Sequence, residues 1–159
     1  MLLSFLDCPI GKERFRLKHG FRYHGHTSDV TIECWAPTLE KAFEEAALAT
    51  LEVMVDTSHV RALESVEVSV KGVDLKELLL SWIGRLIALV DINQQFYSRF
   101  EVKGISEASD GFLLNGNAWG ETIDFTRHKP RTGVKAMTYA DMRIEQSRVK
   151  TALWFTLDL

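Results

Sequence analysis

Leu153-Trp154-Phe155-Thr156-Leu157-Asp158-Leu159 alternates apolar with other residues to the last position of the chain and carries a carboxylate one residue before it. Chain ends usually fray, so a terminal run this apolar predicts a strand inside a sheet. Strand periodicity puts Leu153, Phe155 and Leu157 on one face and Trp154, Thr156 and Asp158 on the other, which carries Asp158 at the rim of the sheet. A carboxylate fixed at a strand end is a candidate ligand or catalytic group. For a lone terminal Asp, the plainer reading is that it solubilises the end of the chain.

Outward from this strand, Val30 to Trp35 alternates in the same way, with Val30, Ile32 and Cys34 on one face. Pro37-Thr38 opens an amphipathic helix in which Thr38 is the cap and Leu39, Ala42, Phe43, Ala46, Thr50 and Met54 recur at helical spacing. Val66, Val68 and Val70 make a half-exposed strand. Asp74 and Glu77 then form a capping-box-like pair ahead of a helix that is apolar on nearly every side. Lys76, Glu77, Arg85 and Asp91 interrupt it, so no apolar run of about 18 residues remains to span a membrane. Phe96 to Val102, Phe112 to Trp119, Val134 to Tyr139 and Met142 to Glu145 read as further strands. They are separated by Asp110-Gly111, by a long loop with Pro130 and Gly133, and by a tight Ala140-Asp141 connection. This order predicts two layers, with helices on one face of a sheet.

The chain has 159 residues, 46% hydrophobic and 26% charged, a composition that fits one compact domain with a sizeable core. A formal net charge of −3 argues against coating nucleic acid through bulk charge. Residues 1–20 read as a basic N-terminal extension and 21–159 as the domain. Lys12, Arg14, Arg16, Lys18 and Arg22, with Phe15 and Leu17 between them, read either as an RNA-phosphate arm or as a solvated tail or charge-protected edge strand, and the latter is the simpler reading. Two cysteines, Cys8 and Cys34, make no disulfide framework, and Cys34 reads as a small buried hydrophobe. The first six residues lack the basic flank and length of a signal peptide, which points to the cytoplasm.

Tyr23-His24-Gly25-His26-Thr27-Ser28-Asp29 leads directly into the strand from Val30. Asp29 stands at the strand start and His26 in the loop before it. On this segment alone, a cation site and a turn closed by Thr27 and Ser28 with Asp29 accepting backbone N–H bonds are equally good readings. Lys135 alternates against Val134 and Ala136, which places it on the non-core face with Met137 and Tyr139; a lysine there is ordinarily a solvated side chain. No Walker A sequence, Gly-x-Ser-x-Gly, paired-cysteine zinc pattern or Gly-x-Gly-x-x-Gly occurs.

Several stretches taken together resemble the archease family: His26-Thr27-Ser28-Asp29-Val30, Thr38 to Glu44, Met54-Val55-Asp56, Asp74 to Leu79, Gly120-Glu121-Thr122-Ile123-Asp124, Arg127-His128, Val134 to Tyr139 and Leu157-Asp158-Leu159. The resemblance runs in order from about residue 21 to the last. It implies an α+β fold: two-layer, a mostly antiparallel sheet with two main helices packed on one face and a strand-helix-strand-strand core. It also implies an accessory role toward the RNA-splicing (tRNA) ligase that joins tRNA exon halves, promoting its guanylylation and multiple turnover without joining RNA. By position, the family's metal-binding aspartates fall on Asp29 and Asp158, with the main-chain carbonyl of Leu159 as a further ligand. The family's functional lysine falls on Lys135, and His26 becomes a loop-ordering residue. The family often has an acidic residue where this chain has Gly25.

Two carboxylates and a carbonyl are hard donors suited to a divalent cation, Ca²⁺ first and Mg²⁺ second, and fall short of the about six to eight ligands calcium takes. Water or a partner completes such a shell, which fits a site that docks or activates another protein's centre. A metal-dependent enzyme processing RNA or nucleotides is the alternative of a different class, and a general chaperone-like binding module a third.

Overall fold

The computed structural model describes residues 18–25 and 28–159. Its elements run β1 (Gly20–Gly25), β2 (Asp29–Ala36), helix α1 (Leu39–Met54), a 3₁₀ turn (Thr57–His59), β3 (Glu64–Gly72), helix α2 (Leu75–Asn93), β4 (Gln95–Ala108), β5 (Gly111–Thr122), β6 (Ala136–Gln146) and β7 (Thr151–Asp158). Every strand pairing is antiparallel. The expected α+β architecture is present, and its strands divide into a four-stranded sheet, β1-β2-β7-β6, and a three-stranded sheet, β3-β5-β4. Both helices touch both sheets.

β7 lies inside the four-stranded sheet with β2 on one side and β6 on the other. Leu153, Phe155 and Leu157 are fully buried with Val30, Ile32 and Cys34 of β2, as period-two alternation requires. The Cys34 thiol sits 3.7 Å from the Ala42 carbonyl of α1. Helix α1 offers the core small residues, Ala42, Ala46, Ala47 and Ala49, so that bulky neighbours come close to its backbone. Tyr23 Oη donates to the Ala49 carbonyl at 2.7 Å, and Trp82 Nε1 of α2 donates to the Phe43 carbonyl at 3.0 Å. These bonds satisfy the polar tips of two buried aromatics.

The helix starts follow the residues read as caps. Thr38 Oγ1 accepts from the Lys41 amide at 3.2 Å and Asp74 Oδ1 from the Glu77 amide at 2.8 Å. The Glu77 carboxylate in turn accepts from the Val73 amide, one residue before the cap. Gln94, with φ 50°, ends α2 in the left-handed region and turns the chain straight into β4.

Several sequence expectations are corrected. Ala140-Asp141 is no hairpin turn; residues 136–146 form one strand, and its register against β7 breaks between Thr138, opposite Thr156, and Arg143, opposite Trp154. Asp141 takes up the excess chain at φ 55°, a left-handed conformation that Asp tolerates. β4 runs well past Val102, to Ala108, because a register shift between Val102 and Gly104 breaks its alternation without breaking the ladder, and β5 continues to Thr122. Met137 is buried while Lys135 is exposed, so the two do not share a face. Arg22, Tyr23 and His24 lie in edge strand β1. Lys12, Arg14, Arg16, Cys8, His26 and Thr27 fall outside the described residues.

Candidate functional site

Asp29 opens β2 and Asp158 closes β7, and the register sets them directly opposite each other. Next to them the Leu159 amide donates to the Ser28 carbonyl at 3.0 Å. Ser28 and Leu159 are thus the narrow, hydrogen-bonded pair, which makes Asp29 and Asp158 a non-hydrogen-bonded pair, the kind whose side chains stand closest, with Cβ atoms roughly 4.5–5.5 Å apart. From the other side, β6 places Ala136 opposite Asp158, and the Lys135 amide donates to the Asp158 carbonyl at 2.8 Å. Asp29, Asp158, Leu159 and Lys135, scattered through the sequence, therefore meet at one end of the sheet. Gly25 ends β1 opposite Val30, one step from Asp29.

Two like charges directly across a ladder repel. Among the described residues neither Asp29 nor Asp158 has a side-chain hydrogen bond or ion pair to relieve that repulsion, and Asp158 is exposed. The chemistry of this pair, two hard oxygen donors with open faces, fits a divalent cation. No group of three or more His, Cys, Asp or Glu side chains able to hold a metal occurs among the described residues. A cation here draws on main-chain oxygen, solvent or a partner for its remaining ligands.

The strands behind the pair are tied across the same face. Thr31 Oγ1 and Thr156 Oγ1 lie 3.0 Å apart, one step inward along β2 and β7. One further step in, the Arg143 guanidinium stacks 3.9 Å over the Trp154 ring. These cross-strand contacts hold the rim that carries the carboxylates.

A second polar cluster was given no role by the sequence reading. Glu121, buried near the end of β5, takes hydrogen bonds from three cationic or imidazole side chains and one amide. Arg127 Nη1 and Nη2 donate at 3.0 and 2.5 Å, the Arg61 amide at 2.6 Å and Arg61 Nη2 at 3.1 Å. His128 Nδ1 accepts from the Asp124 amide at 3.0 Å, so its ring proton sits on Nε2 and points at Glu121 Oε2, 3.2 Å away. The Arg127 fork, helped by Arg61 and His128, holds the Glu121 carboxyl well below the usual carboxylate range against the opposing effect of burial. Gly120 precedes it because a Cβ there would lie 1.8 Å from the Phe96 carbonyl oxygen. The only sequence signals were an acid after a strand glycine and an Arg-His pair a few residues on, and neither discloses that they converge.

Fold and site define a small α+β protein that presents paired hard oxygen donors and a lysine at one sheet end. The chain belongs to the archease family: the model described as the Archease protein family (MTH1598/TM1083) matches residues 21–159. Protein archease of Sulfurisphaera tokodaii is 42% identical over 139 residues, covering 87% of this chain and 98% of its own length. Protein archease of Aeropyrum pernix is 39% identical over 140 residues, covering 88% and 97%. The solution structure of Methanobacterium thermoautotrophicum protein 1598 superposes with a TM-score of 0.74 at 36% identity, covering 88% of this chain and 99% of that one. The crystal structure of a Thermotoga maritima archease, described as a possible chaperone, has a TM-score of 0.55 at 16% identity, covering 86% and 94%; at that identity it speaks for the fold alone. None of the described helices is long and apolar enough to cross a membrane.

Proposed function

We propose that this chain is a cytoplasmic accessory protein of an RNA-splicing ligase that joins tRNA exon halves, promoting guanylylation and multiple turnover of the ligase without joining RNA itself. Asp29, Asp158 and the main-chain carbonyl of Leu159 hold a divalent cation, Ca²⁺ before Mg²⁺, and Lys135 presents an ammonium to a phosphate of the ligase-bound nucleotide. The observation that carries this reading is the β2–β7 register, which sets Asp29 against Asp158 with Lys135 tethered to the same residue's carbonyl. When bound, the cation supplies positive charge at a rigid sheet rim, where it organises the contact with the ligase. Lys135 is suited to a phosphate as a mobile point charge with three donors.

The test is ligase guanylylation and exon joining under multiple turnover, with and without this protein. Stimulation that needs both the protein and the ligase supports the reading. RNA joining or nucleotide turnover by this protein alone would instead make it an enzyme, and an unchanged ligase would leave only a chaperone-like binding role. Lys135→Ala is expected to retain calcium binding, since its amide and not its ammonium joins the Asp158 carbonyl, and to lower stimulation by at least about tenfold, the loss typical of a charged group removed from a developing negative charge. Normal stimulation by this variant would remove Lys135 from the site.

A further inference from the structure

We propose that Glu121 is a positioning residue for Lys135, acting through the connector between β5 and β6; this rests on the reading of Lys135 given above. Lys135 is the last residue before β6, and it is delivered by the stretch 123–135, which contains no regular helix or strand. Such a stretch normally wanders, and a charge at its end would be poorly placed. Here it is fastened along its length. At its start Ile123 donates to the Gln94 carbonyl at 2.9 Å, and Asp124 folds the chain back by accepting from the His128 amide at 2.7 Å. Glu121 then clamps Arg127 and His128 at once, while Arg127 Nη1 also reaches the His59 carbonyl at 3.1 Å.

From that clamp the connector runs along the end of α1 as a hydrogen-bonded strip. The Lys129 carbonyl accepts from the Asp56 amide at 3.0 Å, the Arg131 amide donates to the Met54 carbonyl at 2.8 Å, and the Thr132 amide donates to the Val53 carbonyl at 3.1 Å. Arg131 Nη1 reaches both the carbonyl and the carboxylate of Glu52, at 2.8 and 2.6 Å. Val134 is buried and seats the last step, and the Lys135 amide closes onto Asp158. Glu121 is the carboxylate that joins Arg127 and His128 of the connector, while Asp124 caps the local turn through Thr126 and lies 4.0 Å from Arg127. In Glu121→Gln, two guanidinium groups and an imidazole N–H are left with one neutral acceptor oxygen in place of a carboxylate, and the upstream anchor of the strip is weakened.

The experiment follows backbone amide exchange in Glu121→Gln. The Lys135 amide reports the connector, and the Leu159 amide, bonded to Ser28 on the other side of Asp158, reports the sheet rim. Lys135 exchange is expected to quicken by about tenfold or more while Leu159 changes by less than about twofold. Calcium affinity stays within about twofold of the parent, and ligase stimulation falls. Glu121→Gln with Lys135→Ala stimulates no less than Lys135→Ala alone, the non-additivity of residues that act through one another. Arg127→Lys, a change at a more exposed position that keeps the charge and loses the fork, gives the same pattern in weaker form if Glu121→Gln does not fold. Unchanged Lys135 exchange in both variants, or additive losses in the double variant, overturns the proposal. Quickened Lys135 exchange beside a Lys135→Ala variant that stimulates normally leaves the positioning intact and overturns the role of Lys135 instead.

Discussion

Asp29→Ala and Asp158→Ala are each expected to abolish ligase stimulation and calcium binding, and the double variant to be no worse than either. On the proposed reading the pair acts as a unit, so removing one carboxylate leaves a lone carboxylate beside the Leu159 carbonyl, too little to hold a cation. The fold should tolerate these changes, because neither side chain packs in the core or bonds another described residue. In chelator, each variant is expected to melt within about 1 kcal/mol of the parent, on the stable side, since the change removes a like charge from directly across the ladder. In calcium the order reverses. The parent gains about 2.7 kcal/mol when the cation is present at a hundred times its dissociation constant, whereas the variants gain nothing. Thermal unfolding with and without calcium, beside a guanylylation assay, reads all of this. Variants that still gain stability from calcium, or that stimulate normally, would show that the register brings the carboxylates together for no shared ligand.

Much of this arrangement is legible in the residues alone because it depends on period-two geometry. Leu153, Phe155 and Leu157 announce a buried strand, so the side on which Asp158 stands follows, and Val30, Ile32 and Cys34 do the same for Asp29. Local chemistry likewise marks both helix starts, since Thr38 and Asp74 cap what their sequence offers to cap. Alternation does not carry across a register shift. The excess chain at Asp141 reads as a turn because Asp favours turns, and only pairing of both flanks with β7 reveals one continuous strand. The division into two sheets is similarly invisible, because β3, β4 and β5 look like β2 and β7 one at a time. That Asp29 pairs with Asp158 is a fact about strand order, and sequence periodicity says nothing about order. The Glu121 cluster is hidden for the same reason: Arg61 and Arg127 reach it from separate loops, and each alone looks like a solvated surface arginine.

Glu121→Ala is expected to be the most destabilising polar substitution among those considered, by about 3 kcal/mol at pH 7, the cost of breaking a buried charge network from one side. The value belongs at the lower end of the buried-pair range because Arg61 is 63% exposed and recovers some hydration when released. In a chain this size that is a fall in melting temperature of about 6–12 °C. The effect carries its own pH signature. The folded carboxyl of Glu121 lies below its unfolded value, held there first by the Arg127 fork. Its contribution is therefore fully present above the unfolded carboxyl pKa of about 4.3 and lost progressively as pH falls below it. The stability gap between parent and variant should be flat from neutral pH to about pH 5 and narrow steadily in stronger acid. Asp56, whose folded value is also lowered, first by its hydrogen bond from Ser58, titrates in both proteins and drops out of the difference. Melting curves of parent and variant across this acid range settle the matter: a gap that stays constant into strong acid, or one below about 0.5 kcal/mol at pH 7, would mean that the arginines hold the connector without Glu121.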